Sequence, residues 1–179
     1  MTDRKDVRRK EILGAAYKVF IQYGYGKTTF DDIAHKAGVS RTLLYAYFDD
    51  KKDLFLSVAR ELLDGQGTKT EAILKSKEAD EQKLVGILQL WSVELYADVA
   101  DSPHGGELLD EGYRAWEQIG VHYKEKIVRA VTPFVGGPDV AEIIILALKG
   151  LQADRPSVPV LRKRVKLLAE VGMASRGKG

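Results

Sequence analysis

Residues 28–48, TTFDDIAHKAGVSRTLLYAYF, read as two short helices joined by a tight turn. Thr29 can cap the first helix, because its hydroxyl can accept a hydrogen bond from a free N–H three residues on. Asp32 stands at the matching third position, as in a capping box. Ile33, Ala34 and Ala37 give this helix an apolar side, and Gly38 supplies the left-handed residue that ends it. Val39 is expected to bury in the turn, and Ser40 to cap a second helix over 41–48, RTLLYAYF. Two helices, a glycine-containing turn and a polar second helix form a helix-turn-helix, whose second helix enters the major groove of DNA.

Working outward, residues 9–54 resemble the N-terminal domain of the TetR family of bacterial transcriptional repressors. The matching residues are Ile12, Leu13, Ala15, Ala16, Phe20, Gly24, Tyr25, Thr28, Thr29, Ile33, Ala34, Ala37, Gly38, Val39, Ser40, Leu44, Tyr45, Tyr47, Phe48, Lys51 and Leu54. Beyond this stretch only the helical architecture is similar. The resemblance implies an all-α chain: a three-helix DNA-binding domain with a helix-turn-helix over 1–50, then a helical ligand-binding and dimerisation domain over 51–179. It also implies that Lys51, in the first turn of the fourth helix, binds a DNA phosphate. The helix dipole alone disfavours a cation there, but free N–H groups and an ammonium together make an anion site.

Before the motif, Arg4, Lys5, Arg8, Arg9 and Lys10 form a basic lead-in, read either as phosphate neutralisation or as a solvated helix start. A helix is predicted over 6–23, with Ile12, Leu13, Ala16, Val19, Phe20 and Tyr23 on one face and Gly24 as its terminator. Within the second motif helix Arg41 is the candidate for base readout, since a guanidinium bonds guanine bidentately. Thr42 and Leu43 are candidates for a thymine methyl or a phosphate. Tyr45 and Tyr47 offer hydroxyls to phosphates while their rings pack, with a core role as the alternative. Thr28, Thr29, Ser40 and Lys51 complete the candidate DNA-contacting set.

The chain has 179 residues, 45% of them hydrophobic and 30% charged, which suits a soluble globular protein with a real core. It has no cysteine, so thiolate metal sites and disulfides are excluded. The start lacks the apolar stretch of a signal peptide, and the apolar run 143–148 is too short to span a bilayer. A cytoplasmic location without membrane contact is expected. Residues 1–60 carry 12 Lys/Arg against 8 Asp/Glu, residues 61–135 carry 8 against 14, and residues 136–179 carry 8 against 4. A basic end on an acidic middle suggests that only one part faces a polyanion.

Asp50 can cap the fourth helix, whose stripe is Leu54, Phe55, Val58, Leu62 and Leu63. Gly65 and Gly67 are expected to loosen it before Ile73 and Leu74. The middle reads as two long helices. Leu84, Ile87, Leu88, Trp91, Leu95 and Val99 form one stripe, and Tyr113, Trp116, Gly120, Tyr123 and Ile127 the other. Ser102 and Pro103 are expected as cap and first residue of the second. A candidate effector site comprises Trp91, Glu94, Tyr96, Tyr113, Trp116, Glu117 and Tyr123, with a packed aromatic core as the alternative. Were Glu94 and Glu117 to face a cavity, a cationic effector would be favoured. His104 and His122, with Glu107, Asp110 and Glu111, make a conceivable metal site, but no metal-binding spacing is present.

In the last third Pro138 opens a helix with the stripe Val140, Ile143, Ile144, Ala147, Leu148 and Leu151, widened by Ile145 and Leu146. A further helix carries Leu161, Val165 and Leu168. A helix apolar on two sides needs a partner, and the resemblance implies that segments 138–152 and 157–172 pair with a second copy. Two-fold symmetry would match an inverted-repeat operator. The tail 174–179, ASRGKG, is expected to be disordered. There is no P-loop or dinucleotide fingerprint, and no cofactor is expected.

The expected function is a ligand-responsive DNA-binding regulator, a repressor released from a palindromic operator by a small molecule. A ligand-independent architectural or division-linked DNA-binding protein is the alternative, and a metal-dependent enzyme built on His104 and His122 a more distant one.

Overall fold

The computed structural model describes residues 4–177, and every regular element among them is helical. They divide into two compact units: residues 4–64 with Asp101–Ile119, called the head, and Gly65–Ala100 with residues 120–177, called the body.

In the head, α1 (Arg4–Lys27) buries Ile12, Leu13, Ala16, Val19 and Phe20, as the spacing predicts. Tyr23, expected on the same face, is exposed, and its hydroxyl accepts from Gln22 Nε2. The backbone leaves the helix at Gly24 (φ 79°, ψ 165°), a conformation in which any side chain is strained. The motif helices follow as α2 (Phe30–Ala37) and α3 (Arg41–Tyr45). Gly38 ends α2 in the left-handed region, at φ 63° and ψ 38°. The second motif helix is shorter than predicted, because the Ala46 N–H turns back to the Thr42 and Leu43 carbonyls. Leu44 and Phe48 are fully buried and Val39 is half-buried.

Helix α4 (Lys51–Lys75) starts at Asp50, whose Oδ1 accepts from the Asp53 N–H at 2.7 Å. Its predicted loosening at Gly65 and Gly67 does not occur. Leu63, Gln66 and Thr70 are buried around the two glycines, and this packing outweighs a propensity cost of about 1 kcal/mol for each. The expected start at Pro103 is also displaced, since α7 (Gly105–Val131) begins two residues later. The Ser102 hydroxyl donates to the Ile21 carbonyl at 2.8 Å and accepts from the His104 N–H.

The body contains α5 (Asp80–Gln89), a π-helical turn (Leu90–Glu94), α6 (Leu95–Ala100), the end of α7, α8 (Pro138–Gly150) and α9 (Val158–Ala174). Leu84, Ile87, Leu88 and Trp91 are buried as predicted, but Leu95 and Val99 are only half-buried. The π turn is the cause. Its wider winding shifts the phase of the stripe and puts Val93 and Tyr96 in the core instead.

α8 buries Ala141, Ile144, Ile145 and Leu148, and α9 buries Leu161, Val165 and Ala169, the last in place of the predicted Leu168. Ile143 (64% exposed) and Leu146 (60%) stand outward on α8, and Val160, Leu167 and Val171 on α9. The segment expected to be disordered is ordered through Gly177. The Ser175 hydroxyl bridges the Gly172 carbonyl and the Gly136 N–H, and Arg176 pairs with Asp80; residues 178–179 lie outside the described residues. No helix among the described residues is long and apolar enough to cross a membrane.

Candidate nucleic-acid interface

Helix α3 is presented by its own caps. Ser40 is extended, and its hydroxyl accepts from the Leu43 N–H at 3.1 Å. Burial of Leu44 inward leaves Arg41, Thr42, Tyr45 and Ala46 exposed, with Leu43 half-buried. Arg41 reaches Asp31 Oδ2 at 3.1 Å, donates to the Tyr45 hydroxyl at 3.4 Å and stands 5.7 Å from the Tyr45 ring centroid. The Tyr45 hydrogen bond and then the Asp31 charge raise the guanidinium pKa further, so Arg41 is a permanent cation. An exposed pair of this kind contributes little in water. Exchanging Asp31 for a guanine edge therefore costs little, while the Tyr45 ring, 4.8 Å from that of Phe30, keeps the arginine oriented.

The remaining sequence-predicted contacts divide between surface and scaffold. The exposed Thr29 forms a full capping box: its hydroxyl accepts from the Asp32 N–H, and Asp32 Oδ2 accepts from both the Thr29 N–H and its hydroxyl. These bonds, the side-chain one first, hold the Asp32 carboxyl below its ordinary pKa. Thr28 is buried, and its hydroxyl donates to the Gly24 carbonyl at 2.6 Å. Tyr47 is half-buried beside Phe48, with the Lys5 ammonium 5.9 Å from its ring centroid. Lys51 directs its three donors at the Tyr25, Gly26 and Thr28 carbonyls, at 2.9, 3.0 and 3.1 Å, over the Tyr25 ring. A phosphate bound by Lys51 would have to share the ammonium with this turn.

The basic lead-in is likewise divided. Arg9 is half-buried, donating to the Ser57 hydroxyl over the Phe48 ring, while Arg8 pairs with Glu11 and Lys10 with Glu61. Arg8, Lys10, Lys18 and Lys36 line an open groove between α1 and α2.

Sequence reasoning missed the clamp on the α1–α2 turn. Glu107 Oε1 accepts from the Gly26 N–H at 2.6 Å, and a Cβ at Gly24 would stand 2.5 Å from Glu107 Oε2. His104 lies against the same glycine. Burial, with lesser contributions from Glu111 and Asp50, raises the Tyr25 hydroxyl pKa. No pattern in the sequence points to a contact between residues 81 apart.

The candidate effector residues fall into both units. Tyr113, Trp116 and Glu117 belong to the head, the first two half-buried and Glu117 exposed. Trp91, Glu94, Tyr96 and Tyr123 belong to the body. There Trp91 and Tyr123 are buried with ring centroids 6.3 Å apart, and the Trp91 Nε1–H donates to the Thr70 hydroxyl at 2.7 Å. The Tyr96 hydroxyl donates to the Pro156 carbonyl, and Glu94 is exposed and paired with Lys69. His122 is exposed, its ring edge-on to Tyr123. Among the described residues no three His, Asp or Glu side chains group to hold a metal ion.

A capped helix pair packed with α1, with Arg41 on the outer face of its second member, forms a helix-turn-helix. Residues 12–58 match the family of bacterial regulatory proteins named tetR. The chain is 35% identical over 80 residues to the transcriptional activator FasR of Mycolicibacterium smegmatis, covering 45% of this chain and 36% of that one. It is 44% identical over 57 residues to the transcriptional regulator RutR of Escherichia coli, covering 32% and 27%. The matches thus span about a third of these relatives' length. Among solved structures, a TetR transcription regulator from Haloarcula marismortui aligns with a TM-score of 0.74 at 18% identity, covering 94% of this chain and 98% of that one. The fatty acid degradation regulator FadR of Bacillus halodurans aligns at 0.65 with 18% identity, covering 97% and 100%. At that identity the likeness establishes the all-α fold.

Proposed function

We propose that this chain is a DNA-binding transcriptional repressor, acting as a homodimer on an inverted-repeat operator and released by a small-molecule effector held in its helical body. It is a cytoplasmic regulator and not an enzyme. The observation that carries the proposal is the outer face of α3, where Arg41, Thr42 and Tyr45 are exposed above a fully buried Leu44. That arrangement fits base readout by Arg41 and backbone contacts by Thr29, Ser40, Thr42, Tyr45 and Lys51.

The dimer is supported by Ile143, Leu146, Leu167 and Val171, exposed at helical spacing on α8 and α9. Two copies joined there would carry two recognition helices, to be set about 34–36 Å apart in successive major grooves. Selecting bound sequences from a random duplex library with the full chain tests the proposal. An enriched inverted repeat with half-site centres about one helical turn apart is expected, together with a dimer in sedimentation. Enrichment without dyad symmetry, or a monomer at micromolar concentration, contradicts it.

A further inference from the structure

Buried polar groups in folded proteins have hydrogen-bond partners, and one without a partner calls for an explanation such as a bound molecule. In the body the Trp91 indole is satisfied by Thr70, the Ser92 carbonyl and hydroxyl accept from Gln152 Nε2, and the Tyr96 hydroxyl reaches the Pro156 carbonyl. Gln66 is the exception. Its side chain is on α4, the residue is only 5% exposed, and Oε1 has no donor among the described residues.

Its position is informative. Gln66 and Thr70 are four residues apart on one face of α4, among Leu63 and Ile73, where the stripe would otherwise be apolar. The Thr70 hydroxyl accepts from Trp91 and donates its one proton to the Gln66 backbone carbonyl, so it has none left for Gln66 Oε1. Trp91 itself sits in the π-helical turn Leu90–Glu94, an irregularity frequent at functional sites, and faces Tyr123. Among the described residues no charged side chain is buried, and the buried polar ones in the body are the neutral Gln66, Thr70 and Ser92.

We propose that Gln66 Oε1 is the polar anchor of a binding site beside Trp91 for a neutral, largely apolar molecule that carries an N–H or O–H donor. The proposal rests on the ligand-responsive function above and gives its effector a chemical class. Neutrality follows from the uncharged character of the body's buried groups, since a charge placed among them would lose its hydration without gaining a counter-charge. The Glu94 carboxylate that would have favoured a cation is exposed and paired with Lys69.

The test uses the full chain without DNA and three probes: indole, 1-methylindole, which lacks only the donor, and tryptamine, which adds a positive charge. Binding is read by calorimetry on the wild type, Gln66→Leu and Thr70→Val. Wild type should bind indole about fivefold more tightly than 1-methylindole, and tryptamine least tightly. Gln66→Leu should lose the preference while its melting temperature does not fall, and Thr70→Val should keep it. Equal affinity for the two indoles, a preference that survives Gln66→Leu, tryptamine binding most tightly, or no saturation by any probe at millimolar concentration overturns the proposal. So does a destabilised Gln66→Leu, which would mark the amide as satisfied by the fold or by water alone. Indole binding with the expected preference but without effect on operator binding would uphold the site and contradict the ligand-responsive function.

Discussion

The head and the body deploy their polar side chains in opposite ways. In the head, polar groups set the backbone: Thr29 and Asp32 open α2, Ser40 opens α3, and Lys51, Thr28 and Glu107 hold the α1–α2 turn through five bonds to its backbone. In the body, the apolar stripes of α5, α8 and α9 supply the core, and the few buried polar groups hold aromatic and amide side chains in place. The difference fits the proposed function, in which the head presents one fixed surface to a regular duplex. The body's interior is organised around side-chain packing and pairing rather than around backbone caps.

Single substitutions probe this contrast. The largest effect is expected at the clamped turn. Gly24→Ala must hold a side chain at φ 79° and ψ 165° and displace Glu107, which should lower stability by about 3 kcal/mol in urea unfolding. Combining it with Glu107→Ala should relieve only the steric part, leaving the backbone cost. Lys51→Met removes three charge-assisted bonds to carbonyls and should cost about 2 kcal/mol, while weakening binding to all DNA sequences alike. A Lys51→Met protein of unchanged stability would show that the ammonium does not hold the turn.

Gly65→Ala lies within the unbroken α4, where a Cβ meets nothing within 4 Å; there the sign reverses, with a gain of about 1 kcal/mol. The smallest expected effect is on acid stability. The folded-state pKa of Asp32 is depressed, so its contribution is present above the ordinary carboxylate value near 3.9 and is lost as pH falls through the lower folded value. Asp32→Asn should lower stability slightly at neutral pH, where the carboxylate's contribution is present, and converge with the wild type in acid, which flattens the profile below about pH 4.

The same contrast explains what could be read from the chain. The head's motif was legible because its determinants are local. A cap and its acceptor are three residues apart, and Gly38 is recognisable by position as well as by type. The body was legible as helices but not as chemistry. The π turn shifts the stripe after Trp91, so Tyr96 and Val93 replace Leu95 and Val99 in the core, and no propensity announces such a shift. Gln66 did leave a trace, a polar residue in register with Leu63 and Ile73, but it reads as an exposed position until burial is known. The Glu107–Gly26 contact left none, because sequence distance hides it. Among the proposed DNA contacts, Arg41 and Thr42 stand exposed on α3, whereas Thr28 is buried and Lys51 is engaged with the turn.

The central claim is that the exposed face of α3 reads sequence through Arg41. Fluorescence anisotropy of the full chain and of Arg41→Ala, on the selected operator and on a scrambled duplex at one salt concentration, tests it most directly. Arg41→Ala should lose at least tenfold in affinity for the operator and much less for the scrambled duplex, lowering the specificity ratio. Equal losses on the two duplexes would contradict the claim and reduce Arg41 to a phosphate contact.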